Sequence, residues 1–107
     1  MEEKVNNLVS FALKLIPETR DVYDYYMPLS YYCIHHPDEE ITNDFNDVVG
    51  MSGGVKLIFI KLSEKLAERE YNKTKDSKYL KRMETFAGYF RDNLEKIVPA
   101  NEVRKNK

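Results

Sequence analysis

Val55-Lys56-Leu57-Ile58-Phe59-Ile60-Lys61-Leu62 is the stretch on which the fold turns. Its β-branched and aromatic content suits a strand. Yet Val55, Ile58, Phe59, Leu62 and Leu66 recur at helical spacing, and no other segment offers a convincing strand partner. A helix is therefore predicted. Leu57 and Ile60 fill its remaining sides, so its first two turns are apolar nearly all round and should be the most buried part of the chain.

Working outward, Gly50, Met51, Ser52, Gly53 and Gly54 interrupt the pattern on one side, with Ser52 placed to cap the helix that follows. Before them, Pro37, Asp38, Glu39 and Glu40 read as a helix start, with carboxylates at the positive end of the helix dipole and Ile41, Phe45, Val48 and Val49 as the apolar stripe. Earlier still, a helix is expected from near Glu18 through Cys33, kinked or split at Pro28 because proline removes a backbone donor. A first helix carries Val5, Leu8, Val9, Ala12, Leu15 and Ile16 and ends at Pro17. Beyond the polar run from Asn72 to Asp76, Asp76 or Ser77 should cap a last helix. Its stripe is Tyr79, Leu80, Met83, Phe86, Phe90, Leu94 and Ile97, and Pro99 closes it. The expectation is an all-α bundle of four to five helices, mostly antiparallel, with residues 1–98 as one domain and 99–107 as a mobile basic tail.

With 107 residues, one domain is all the chain can build, and at this size a core forms without staples. Cys33 is the only cysteine, so no disulfide closes within the chain, which points to a reducing, cytoplasmic setting. The acidic start, Met1-Glu2-Glu3-Lys4, does not read as a secretory signal, and the longest apolar run, Leu57 to Ile60, is too short to span a membrane.

The formal net charge of -1 argues against a whole-molecule grip on nucleic acid. That total hides a segregation. Residues 18–47 hold eight acids against Arg20 alone, whereas residues 48–107 hold fourteen bases against eight acids. Charge asymmetry between segments hints at an interaction surface, or at two segments that face and neutralise each other.

Five of the eight tyrosines, Tyr23, Tyr25, Tyr26, Tyr31 and Tyr32, fall within ten residues of the acidic segment. One helical face cannot hide all five. At about 100° per residue, Tyr25, Tyr26 and Tyr32 follow Val22 and Leu29 inward, leaving Tyr23 and Tyr31 to point elsewhere. Exposed tyrosine is a favoured interface residue because it offers a large rigid area and a hydroxyl. The pairs Asp21 with Asp24 and Asp44 with Asp47 each set two carboxylates on one helical face. Such acids can hold a divalent metal when they point inward, but here they flank the apolar stripes and read as solvated.

Motifs that fix a reaction are missing from the sequence. Cys33 and His36 lack an orienting third group. The glycines at 50, 53 and 54 are followed by no Lys-Ser or Lys-Thr of a phosphate loop. An arginine shortly before a histidine, as in one helical ribonuclease pattern, is absent because Arg20 lies too far from His35. The sequence thus predicts a non-enzymatic interaction protein without cofactor or metal. Its partner is a protein, or a second copy in a homodimer, met by Asp21, Tyr23, Asp24, Tyr31, Asp44 and Asp47. The alternative is a nucleic-acid-associated protein using Lys73, Lys75, Lys78, Lys81 and Arg82; a Mg²⁺- or Mn²⁺-dependent helical enzyme ranks below both. Abundant Lys, Asn, Ile, Tyr and Phe with few Gly and Ala suit an AT-rich viral or mobile-element genome.

Overall fold

The computed structural model describes residues 1–19 and 21–96. The expectations for Arg20, Ile97, Pro99 and the tail lie outside them. Five helices form an all-α bundle: α1 (Glu2–Leu15), α2 (Tyr23–His35), α3 (Glu40–Val49), α4 (Gly54–Thr74) and α5 (Ser77–Lys96). The stretch from Val55 to Leu62 is helical, and Leu57, Ile58, Ile60, Lys61 and Leu62 are all buried in it. This half of α4 is the common floor on which α1, α2 and α3 pack.

α1 follows its stripe, burying Val5, Leu8, Val9 and Ala12, with Glu2 and Glu3 in the first turn and Lys14 in the last to suit the dipole. It stops at Leu15, two residues before Pro17, because the residue before a proline is driven to extended backbone and Ile16 is extended.

α2 begins at Tyr23, five residues later than the predicted start at Glu18. Local side-chain bonds claim the intervening backbone instead. The Thr19 N–H donates to the Tyr25 hydroxyl at 3.0 Å, and that hydroxyl donates back to the Thr19 carbonyl at 3.2 Å. The Thr19 hydroxyl donates to Asp24 at 2.7 Å, while Asp21 accepts the Tyr23 N–H at 2.9 Å and so starts the helix. Of the two outcomes expected at Pro28, one kinked helix or a split into two, the split does not occur: one helix runs through it. Proline costs α2 a single backbone donor, and the ring sits half-buried where α2 borders the end of α1.

α3 starts at Glu40, not at Pro37. The turn before it is held by side chains: the Tyr32 hydroxyl donates to both carboxylate oxygens of Glu39 at 2.9 and 2.8 Å, and Thr42 donates to the His36 carbonyl at 2.6 Å. These bonds fix residues 36–39 as a connection and cap the end of α2. The expected Ser52 cap is likewise replaced, because Gly53 occupies the cap position with φ of 84°, where a glycine is favoured.

α4 and α5 make an antiparallel hairpin. Lys75 ends α4 in the left-handed region, and Asp76 starts α5 by accepting the Lys78 N–H at 3.0 Å, as the sequence implies. α5 leans on α4 and hardly on anything else among the described residues. Phe90 is its one buried side chain, under the ammonium of Lys61 at 4.2 Å from the ring centre. Tyr79, Met83, Phe86 and Leu94 are half-buried and Leu80 is exposed, so the predicted inward stripe is only partly covered. The whole measures 46 × 35 × 18 Å, a slab about two helices thick.

Candidate functional site

α2 is apolar on two opposite sides. One side enters the core through Tyr25, Leu29 and Cys33, helped by half-buried Val22 and Tyr26. The other side carries Tyr23, Met27, Tyr31 and Ile34, which are 60, 61, 66 and 68% exposed. These four recur at i, i+4, i+8 and i+11, the spacing of one helical stripe. Elsewhere among the described residues, Leu80 and Tyr89 are isolated exposed apolar side chains on α5, while Leu15 at the end of α1 borders the stripe itself. A continuous exposed stripe is the pattern that marks an interaction site, whereas isolated apolar residues need no explanation.

Beside the stripe lies an open groove of about 670 Å³, formed by Leu15 and Ile16 at the end of α1 and by Met27, Pro28, Tyr31 and His35 of α2. Its aromatic wall is preset. The Tyr31 ring rests on His35 with centres 4.2 Å apart, and the Tyr32 ring stacks on His36 at 4.0 Å and meets Phe11 at 4.9 Å. The Nδ1–H of His36 reaches the Tyr32 carbonyl at 2.9 Å. The hydrogen bond to Glu39 pushes the Tyr32 phenol above its ordinary value, so it stays a neutral donor at physiological pH. Both histidines are thus held on the C-terminal end of α2 by ring contacts, and neither is hydrogen-bonded to a carboxylate or thiol among the described residues.

The predicted site residues separate into three places. Tyr23 and Tyr31 share the stripe, with the Tyr23 ring leaning on Phe59 at 5.0 Å. Asp21 and Asp24 sit at the N-terminal end of the same helix, each already accepting a bond from its own chain. Asp44 and Asp47 lie on α3 along the seam with α1, where Lys4 donates to Asp47 at 2.6 Å and Asn7 reaches Asp44 at 3.5 Å. The Asp47 carboxylate raises the Lys4 pKa, keeping that pair charged. Asp44 and Asp47 therefore serve the α1–α3 contact rather than the tyrosine-bearing face. Met27 and Ile34 were missed by sequence reasoning, which followed tyrosines and acids. The signal was available in the spacing of Met27 and Ile34 from Tyr23 and Tyr31.

The basic candidates are also divided. Lys73 is paired with Glu18 across the fold, one contact in which the acidic and basic segments neutralise each other. Lys75 lies over the Tyr71 ring, and Lys78 and Arg82 both flank Tyr79, at 5.0 and 5.3 Å from its centre. Lys81 is exposed on the same stretch of α5. Arg69 and Arg82 also border a hollow of about 390 Å³ between the α1–α2 connection, α4 and α5, where Arg69 is engaged by the Tyr25 hydroxyl at 2.7 Å and Glu70 adds an opposing charge.

No group of three or more His, Cys, Asp and Glu side chains converges among the described residues, and none of their helices is long and apolar enough to cross a membrane. Comparison of the chain with protein-family models, with curated proteins and with solved structures found no match in any of the three.

Proposed function

We propose that the protein is a non-enzymatic interaction module that docks a protein surface through the outer face of α2. The observation that carries this reading is the stripe of Tyr23, Met27, Tyr31 and Ile34, four large side chains each more than half exposed on a helix whose opposite side is locked in the core. Such a face exposes apolar area in the free protein that a partner would cover. Tyrosine and methionine are among the residues enriched where it does. The rigid backing of α2 means little ordering cost on binding, and the groove beside Tyr31 suits one inserted apolar side chain.

Proximity capture in the cells that make the protein tests this. Met27→Glu with Tyr31→Glu should abolish the dominant captured partner, while Asp44→Lys with Asp47→Lys on the α1–α3 seam should leave it bound. Capture that survives the first pair and is lost with the second would move the site off α2.

A second reading, nucleic-acid association through α5, is supported by the cation–aromatic–cation arrangement of Lys78, Tyr79 and Arg82. It requires binding that weakens steeply with salt and with Lys78→Glu plus Arg82→Glu. Absence of any mobility shift at low salt removes it.

A further inference from the structure

We infer that the surface covering the α2 stripe is the same stripe of a second copy, laid antiparallel across a two-fold axis. This rests on α2 being the docking face and adds the identity of the occupant.

Three features of α2 support it. First, the stripe matches itself when reversed. Met27 and Tyr31 lie at equal distances on either side of Leu29, so antiparallel pairing centred there sets Met27 of each copy against Tyr31 of the other. Second, the ends of α2 are chemically complementary. Asp21 and Asp24 stand at the N-terminal end and His35 and His36 at the C-terminal end, so reversal brings acid to imidazole at both ends of the contact. Third, the edges agree. Counting about 100° per residue from Met27, Asp24 falls roughly 60° and His35 roughly 80° round in the same sense. A two-fold axis perpendicular to paired antiparallel helices keeps each edge on its own side. The Asp24 carboxylate of one copy therefore meets the His35 imidazole of the other, twice. His35 is already held on that edge by its contact with Tyr31, and the Thr19 hydroxyl occupies only one Asp24 oxygen, Oδ2.

The size of the contact sets its strength. A helix of 13 residues is about 20 Å long, so the stripe falls short of the roughly 800 Å² per partner of a standard interface until the groove walls at Leu15 and Ile16 are included. A dimer that dissociates in the micromolar range is expected.

Sedimentation equilibrium of the full chain, from low micromolar to near-millimolar concentration, reads this directly. The wild type should pass from monomer to dimer and no further. Asp24→His and His35→Asp should each raise the dissociation constant about tenfold or more, and the double exchange should return it to within about threefold of wild type. Any internal effect of losing the Thr19 bond is common to Asp24→His and to the double exchange, so recovery reports the contact between copies. A wild type that stays monomeric overturns self-pairing and, if Met27→Glu with Tyr31→Glu still abolishes partner capture, leaves the docking face standing. Dimers that persist unchanged with Met27→Glu and Tyr31→Glu overturn self-pairing through α2, and unchanged capture as well overturns the docking face with it. Single exchanges that weaken the dimer without recovery in the double overturn the antiparallel register.

Discussion

At the scale of single residues, Tyr25 carries the most structure per atom. Its ring is fully buried, and its hydroxyl accepts from Thr19 N–H and Arg69 while donating to the Thr19 carbonyl, filling its bonding capacity. Tyr25→Phe keeps the packing and removes the hub, so it should cost about 2 kcal/mol and lower the melting temperature by roughly 10 °C in a calorimetric scan. Cys33 presents a different case. Burial pushes its thiol above the ordinary value of 9.0, so alkylation by iodoacetamide at neutral pH should be slow in the folded protein and fast in urea. Burial raises the Tyr26 phenol, Glu39 raises that of Tyr32, and Asp47 raises the Lys4 ammonium. All four folded groups hold their protons more tightly than the unfolded chain does. Their contribution is present in full at neutral pH and is lost as pH rises past the ordinary values, from 9.0 for the thiol upward, where melting temperature should fall, with the first part of the fall missing in Cys33→Ala. Two adjacent glycines separate two mechanisms. Gly53→Ala meets no neighbour but is strained by its positive φ, a cost of about 1 kcal/mol. Gly54→Ala would set its Cβ 1.8 Å from the Val48 carbonyl oxygen, forcing α4 off the end of α3, and should destabilise by several times more.

At the scale of elements, the helices differ in how firmly they are held. α1 to α3 share the apolar half of α4, whereas α5 depends on α4 through Phe90 and a partly covered stripe. In native-state hydrogen exchange the amides of α5 should open with a smaller free energy than those of Leu57 to Leu62, and Phe90→Ala should widen that gap while sparing α1 to α3. Equal protection along α4 and α5 would show a single cooperative unit instead. The elements themselves were legible because their apolar periods are strong, including the ambiguous Val55–Leu62 stretch, which the lack of any strand partner resolved. Their starts were less so. α2 and α3 both begin late, since Thr19, Asp21, Tyr25, Tyr32, Glu39 and Thr42 spend their side chains on neighbouring backbone or on each other, and such bonds carry no period. At Pro28 the sequence left one helix or two open, and packing of Tyr25, Leu29 and Cys33 on either side holds α2 together for the loss of one hydrogen bond.

At the scale of the whole molecule, the slab shape leaves each helix a broad outer side, and the chain covers most of these with charge. The outer side of α2 is the exception. Segregated charge grouped the acids of α2 with those of α3, because sequence order alone could not show that Asp44 and Asp47 are spent on α1 while Asp21 and Asp24 stay with the tyrosines. Tyr23 and Tyr31 were legible from the helical wheel; Met27 and Ile34 lie on the same stripe of that wheel, and were passed over because attention went to tyrosines and acids. A photo-crosslinking scan in cells, one position at a time along α2 and α5, bears most directly on the docking face. Crosslinks should peak at 27, 31 and 34 with the helical period and fall to background at 81 and 84 on α5. A flat profile along α2, or a maximum on α5, would contradict an interaction surface built on the outer face of the second helix.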